Sequence, residues 1–280
     1  MVGWSRTALR KQPDKSWVLE RRMYIQNDKL IYEFNSCNGC DLCSAACPKE
    51  ALKVQAPEPT LETDPRDFTL EIDENLCVFC GTCAAACVYH ALSLEVNEEK
   101  VIPVEEKEVF PRLVPEMEFD VEKAKTFCVA CSCCFSSCPH QAITIKFVEG
   151  FPVLERDIEK CGGCHTCEVS CPNGVIIANT AFQGDMTITQ KTCIEECTKC
   201  IDICPMDALI KGSPCDPEDK ELHWYQEGCT FCGACIRVCP TTPKTLTLKR
   251  EKMFQLYKDG KPFESGVLER LQELLIKPKS

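Results

Sequence analysis

The sequence predicts an α+β chain of three tandem modules, each built from small hairpins and short helices. Three observations predict it. Cysteine supplies 26 of the 280 residues, a density expected of disulfide frameworks and metal-cluster proteins. One cysteine-bearing unit repeats six times along the chain. Between the repeats lie short, β-branched or alternating stretches bounded by Gly, Pro, Asn or Asp, the pattern of small hairpins.

The repeated unit reads C-x2-C-x2-C-x3-C-P, followed after two or three residues by a small residue and an aliphatic one. Its copies are CNGCDLCSAACPKEAL (37–52), CVFCGTCAAACVYHAL (77–92), CVACSCCFSSCPHQAI (128–143), CGGCHTCEVSCPNGVI (161–176), CIEECTKCIDICPMDAL (193–209) and CTFCGACIRVCPTTPKTL (229–246). First cysteines are spaced 40, 51, 33, 32 and 36 residues apart. LKV, LSLEV, ITIKFV, VIIANTA and ALI follow the cysteine runs, and FTLEI, PVLERDI, MTIT and LHWY precede the next ones, all reading as strands. Helix is expected only as a turn or two around each fourth cysteine.

Cysteine usage separates two classes. A disulfide framework needs an oxidising compartment. The first thirty residues hold no apolar stretch of a secretory leader, and Arg21-Arg22 is followed by MYIQNDKLIYEF rather than by an apolar run. No stretch approaches the ~18 apolar residues of a membrane helix. The expectation is a cytoplasmic protein with reduced thiols. The formal charge is −11, which argues against nucleic acid as a partner.

Four thiolates within eleven residues in five runs, and within twelve in the fifth, fit a cubane better than zinc, which takes two separated knuckles per ion. A tight loop can wrap three corners of a cubane but not the fourth. In the bacterial ferredoxin-type run the fourth cysteine ligates the other cluster of a pair, and Pro after it turns the chain away. The expected cofactors are six [4Fe–4S] clusters. Sequential pairing places Cys37, Cys40 and Cys43 with Cys87, and Cys77, Cys80 and Cys83 with Cys47. It then places Cys128, Cys131 and Cys134 with Cys171, and Cys161, Cys164 and Cys167 with Cys138. Last, Cys193, Cys197 and Cys200 join Cys239, and Cys229, Cys232 and Cys235 join Cys204. A nested scheme, with motifs four and five paired inside three and six, stays open. With about −2 per cluster, six clusters bring the holoprotein to roughly −23.

Departures from the repeat carry expectations of their own. The fifth motif opens Cys193-x3-Cys197, one residue longer than the rest, so its loop must bulge, and Glu195 and Glu196 would set negative charge beside its cluster. Val88 replaces Pro in the second motif. Cys133 reads as a small buried filler and Cys215 as a loop thiol. His90, His140 and His165 near the ligand runs read as surface residues, with tuning of a cluster as the alternative.

The chain divides by this reading into an N-terminal basic arm (1–30), modules at 31–105, 106–183 and 184–250, and a C-terminal tail (251–280). Residues 1–30 carry seven Lys/Arg against three acids, and residues 95–125 carry ten acids against five bases. Trp4 and Trp17 suit an arm laid across a partner, or disorder. In ESGVLERLQELLIK an apolar face at helical spacing predicts a helix over 264–276, packed on the last module or docked to another subunit.

Six such runs in one chain resemble the tandem bacterial-type 2[4Fe–4S] modules of the polyferredoxins of anaerobic archaea and bacteria. DPRDFTLEIDENLCVFCGTC and EVFPRLVPEMEFDVEKAKTFC are similar to the polyferredoxin (F) subunit of formylmethanofuran dehydrogenase from methanogens and related archaea. The likeness spans roughly residues 30–250, and that subunit usually carries eight clusters rather than six. It implies a wire between an electron donor, such as a ferredoxin or a heterodisulfide reductase, and a tungsten- or molybdenum-pterin subunit that reduces CO2. No dinucleotide loop, P-loop or nucleophile–base pair accompanies the cysteines. The chain therefore reads as a non-catalytic electron-transfer subunit of a larger oxidoreductase. The alternatives are a free polyferredoxin acting as a diffusible carrier and an enzyme using an atypical cluster or a flavin.

Overall fold

The computed structural model describes residues 6–107, 109–110, 113, 117–138, 140–158, 160–161, 163, 166–178, 180–213, 215–216, 218–253, 269, 273 and 275–276. The chain divides into two units, Met1–Leu113 with Tyr257–Ser280, and Val114–Leu256. The helix expected over 264–276 lies outside the described residues except at four positions, of which Leu275 is buried.

The first unit contains β1 (Arg6–Lys11), β2 (Trp17–Arg22), β3 (Asn27–Tyr32), β4 (Leu52–Gln55), β5 (Thr69–Ile72), β6 (Leu92–Val96) and β7 (Glu99–Lys100). Five of these form one antiparallel sheet in the order β1-β2-β3-β6-β7, and β4 pairs with β5. This corrects the reading of residues 1–30 as an arm. Alternation along β2 and β3 turns Trp17, Leu19, Leu30 and Tyr32 to one side, and the register lines them up. Leu9, Leu19, Leu30 and Leu94 make one cross-strand row, while Trp17, Tyr32 and Leu92 make the next. Such directly opposed apolar pairs are the unit of sheet stabilisation. Trp17 and Tyr32 lie 5.3 Å apart between ring centroids, both buried. Three of the positive charges of this segment are paired within it: Arg21 with the buried Asp28, and Arg10 and Arg22 with the buried Glu20.

The second unit contains β8 (Met117–Phe119), β9 (Ile143–Val148), β10 (Phe151–Arg156), β11 (Ile176–Ala178), β12 (Phe182–Ile188), β13 (Leu209–Lys211), β14 (Leu222–Trp224) and β15 (Leu246–Met253). They pair two by two: β9 with β10, β8 with β11, β12 with β15, and β13 with β14. The longest pairing, β12 with β15, shifts register between Gln183 and Gly184. A side chain at Gly184 would stand 2.0 Å from the Lys249 carbonyl oxygen, so only glycine admits the partner strand there. The apolar core beneath the 117–176 segment is small, with Ala124, Val175 and Ile176 buried and Met117, Phe119 and four cysteines packed around them.

Helix is sparse, as expected, but placed differently. The turns Leu42–Ala46, Thr82–Ala85, Cys133–Ser136, Thr166–Val169, Lys199–Asp202 and Ala234–Arg237 each carry a third cysteine and end before the fourth. A further helix, Val121–Phe127, is capped by Asp120, whose side chain accepts from the Lys123 N–H at 2.8 Å.

Candidate metal centres

Each cysteine run is shaped by left-handed backbone at fixed places. The residue before the second cysteine has positive φ in five runs (Gly39, Phe79, Ala130, Gly163, Phe231), and so does the residue after it in four (Asp41, Gly81, Ser132, Gly233). Alternating handedness turns successive N–H groups inward and makes the concavities that receive anionic sulfur. Gly39 and Phe231 N–H groups donate to Cys37 and Cys229 sulfur, both at 3.4 Å.

A third left-handed residue follows each of five fourth cysteines by three positions: Glu50, His90, Gln141, Gly174 and Asp207. It swings the next N–H back onto the sulfur. Ala51 donates to Cys47 at 3.4 Å, Ala91 to Cys87 at 3.2 Å, Ala142 to Cys138 at 3.2 Å and Ala208 to Cys204 at 3.3 Å. The recurrent small residue after the run thus lies against a ligand sulfur: all four alanines are buried. His90 therefore serves the backbone turn. His165 lies outside the described residues.

The runs then meet in pairs. One cavity of about 380 Å3 is lined by Cys77, Cys80 and Cys83 with Cys47. A second, of about 420 Å3, is lined by Cys128, Cys131 and Cys134 with Cys171. A third, of about 310 Å3, takes Cys193, Cys197 and Cys200 with Cys239. A fourth, of about 370 Å3, takes Cys229, Cys232 and Cys235 with Cys204. Each holds three cysteines of one run and the fourth of its sequence neighbour, so the pairing is sequential and the nested scheme is set aside. Cys43 is half-buried and interacts with Cys37, Cys40 and Cys87, the same three-plus-one arrangement, and with Cys83 of the neighbouring run. Cys164 lies outside the described residues, and the other expected members of its set are Cys138, Cys161 and Cys167.

These sites fit a [4Fe–4S] group by donor chemistry. Burial pushes the Cys200 thiol up to about 12 and Cys229 up to about 11, and holds Cys43, Cys83 and Cys235 well above the usual thiol range, with neighbouring cysteines adding to the effect. Such thiols ionise only against a strong positive partner, which an iron–sulfur core supplies. At Cys239 burial pushes upward, yet hydrogen bonds from Thr241 and Thr245 outweigh it and leave the thiol lowered. Among the described residues no three His, Cys, Asp or Glu side chains gather tightly enough for a single ion. Four thiols lining one cavity match the four iron corners of a [4Fe–4S] group.

Two expectations change. Cys133 is exposed rather than buried: its N–H and thiol approach Cys131, whose own thiol they hold below the usual range. Cys215 is an exposed loop thiol, as expected. In the fifth run no residue between Cys193 and Thr198 is left-handed, and the helical turn starts from Thr198 at φ −114°. Glu195 is engaged by the exposed Lys220. The charge that meets the loop is positive: Lys211 Nζ donates to the Ile194 carbonyl at 2.6 Å and the Cys197 carbonyl at 3.3 Å, and lies 4.0 Å from Cys193 sulfur. Sequence reading missed Lys211. It also missed Arg250, whose guanidinium donates to the carbonyls of Phe231 (2.7 Å) and Cys232 (2.6 Å) in the sixth run. Both lie beyond the run they serve, with no spacing to announce them. The alanine four residues after the last cysteine was, by contrast, a signal present in the repeat.

Family models describing a 4Fe-4S dicluster domain match residues 36–91 and 127–175, and a 4Fe-4S binding domain matches residues 222–242. The ferredoxin of Methanothermococcus thermolithotrophicus is 38% identical over 52 residues, 18% of this chain and 77% of that protein. The polyferredoxin protein MvhB of Methanothermus fervidus is 32% identical over 88 residues, 29% of this chain but 19% of that protein. Among solved structures, a chain of the formate dehydrogenase – heterodisulfide reductase – formylmethanofuran dehydrogenase complex from Methanospirillum hungatei has a similar fold. The TM-score is 0.79, with 24% identity, over 97% of this chain and 91% of that one.

Proposed function

This chain belongs to the 4Fe-4S ferredoxin family and is built as a polyferredoxin, and from that premise we propose that it is a non-catalytic electron-transfer subunit relaying electrons through six [4Fe–4S] clusters. When bound, such a group supplies reversible one-electron chemistry. The cysteines would hold it, with the left-handed loops placing N–H groups on the cysteine sulfurs and apolar side chains lining the sites. Four thiolate ligands leave no iron open to a substrate, and this supports a relay rather than a reaction site.

The observation that carries the reading is a fourth cysteine lying with three cysteines of the neighbouring run, seen for Cys47, Cys87, Cys171, Cys204 and Cys239. Shared ligand loops of this kind support clusters in pairs, between which an electron could pass. The proposed ligands are the 24 cysteines of the six runs, with Cys133 and Cys215 left out. The fold likeness to a chain of the Methanospirillum complex supports a place among redox subunits, and a formylmethanofuran dehydrogenase-type host in the cytoplasm is part of the same proposal. No helix among the described residues is long and apolar enough to cross a membrane.

Anaerobic purification tests this. About 24 iron and 24 sulfide per chain are expected, with other redox subunits retained on the column. A chain carrying zinc instead of iron ends the reading, and full iron without companions transfers it to a diffusible carrier.

A further inference from the structure

We infer that Lys211 sets the reduction potential of the cluster bound by Cys193, Cys197, Cys200 and Cys239, raising it above what the chain's acidic character alone would give. The inference rests on the reading that these four cysteines hold a [4Fe–4S] group.

Position is the first argument. β13 begins beside Ala208, the residue whose N–H holds Cys204 sulfur. Three residues after the corresponding alanine the other runs place Val54, Leu94 and Ile145, all apolar. In this run alone that slot holds a lysine, and this run alone has the lengthened Cys193-x3-Cys197 opening. The lysine belongs to the strand that anchors one site, yet its ammonium reaches across to the other. Pairing of Lys211 with Leu222 on β14 fixes the strand that delivers it.

Charge is the second argument. The ammonium lies 4.0 Å from Cys193 sulfur and binds the carbonyls of Ile194 and Cys197, so it is held against the loop rather than waving in solvent. Lys199 lines the same cavity, and Lys244 donates to the Cys239 carbonyl. Of the acids nearby, Glu195 is engaged by Lys220, which also draws Glu196. An electron added to the group meets a fixed positive charge at short range, and that favours the reduced form. The sign is opposite to the one that Glu195 and Glu196 imply from sequence.

The test is a potentiometric titration of the anaerobic holoprotein, each group taking one electron from dithionite, followed by electron paramagnetic resonance. Wild type is compared with Lys211→Met, Lys211→Gln and Lys211→Arg, and iron is counted in each. Gln keeps a donor for the two carbonyls but removes the charge. The Met and Gln forms should keep full iron and shift one component to lower potential by about tenfold in its equilibrium, or ~59 mV for one electron. The Arg form should leave it in place. An unchanged midpoint in the Gln form overturns the inference, and so does loss of about four irons in both Met and Gln forms, which would make the lysine a support for the loop. Low iron in wild type instead condemns the cluster reading itself.

Discussion

The indole N–H of Trp17 donates to the carbonyl of Leu70 at 2.7 Å, joining strands whose positions in the chain differ by 53 residues. Trp17 lies in β2 and Leu70 in β5, so this bond ties the N-terminal strands to the hairpin that leads into the second cysteine run.

The N-terminal strands are therefore expected to be structural. Removing residues 1–28 takes away β1, β2 and the start of β3, and exposes Leu92 and Leu94. Clusters held by the first two runs should be lost, about eight iron atoms by the family stoichiometry. The milder Trp17→Phe leaves the Leu70 carbonyl unsatisfied and should cost about 1–3 kcal/mol. Iron content and chemical denaturation read both, and a truncated chain with full iron refutes the assignment.

Crossed ligation predicts an unequal effect of one mutation. Cys47→Ala should damage the site of Cys77, Cys80 and Cys83 while sparing that of Cys37, Cys40 and Cys43. Spectroscopy of the single mutant distinguishes the two, because a site closed within its own run would fail in the opposite place.

Cys133 offers a contrasting case. It is exposed and does not line the cavity of its run. Cys133→Ser should retain every cluster, whereas Cys134→Ser should lose or convert one. Equal loss in both would make Cys133 a ligand.

Gly184→Ala tests the long β12–β15 pairing. The added methyl would meet the Lys249 carbonyl at 2.0 Å, a backbone atom that cannot step aside. Strain of this kind costs about 1–3 kcal/mol or more, and it should appear as a lowered unfolding midpoint with the iron content initially intact.

Removing iron should dismantle the 117–176 segment. Among the described residues its apolar cluster is Ala124, Val175 and Ile176 with Met117, Phe119, Leu154 and cysteines packed around them, and Ala142 and Ile143 are buried nearby in sequence, a small core to set against chain entropy. Anaerobic chelation should abolish the β signal in circular dichroism together with visible absorbance, as in other metal-organised small domains. Retained structure after chelation would show a core independent of the metal.

What the sequence by itself determined is whatever lies within one run. Three cysteines at C-x2-C-x2-C describe a loop whose geometry is local, and Pro after the fourth cysteine redirects the chain within two residues. Number, class and approximate extent of the cluster motifs follow from that spacing, as do the short strands on either side. Tertiary structure decided the relations between distant residues. Whether Cys171 serves the run at 128 or another depends on which loops pack together, and nearly equal spacings leave that open. Trp17 reads as an anchor for a partner until β3 and β6 are paired, because alternation shows that one face is apolar but not what covers it. Glu195 and Glu196 lie next to a ligand in sequence, and Lys211 lies fourteen residues beyond Cys197. Coulombic interaction follows distance in space, so the charge that governs the fifth run comes from the strand folded back on it.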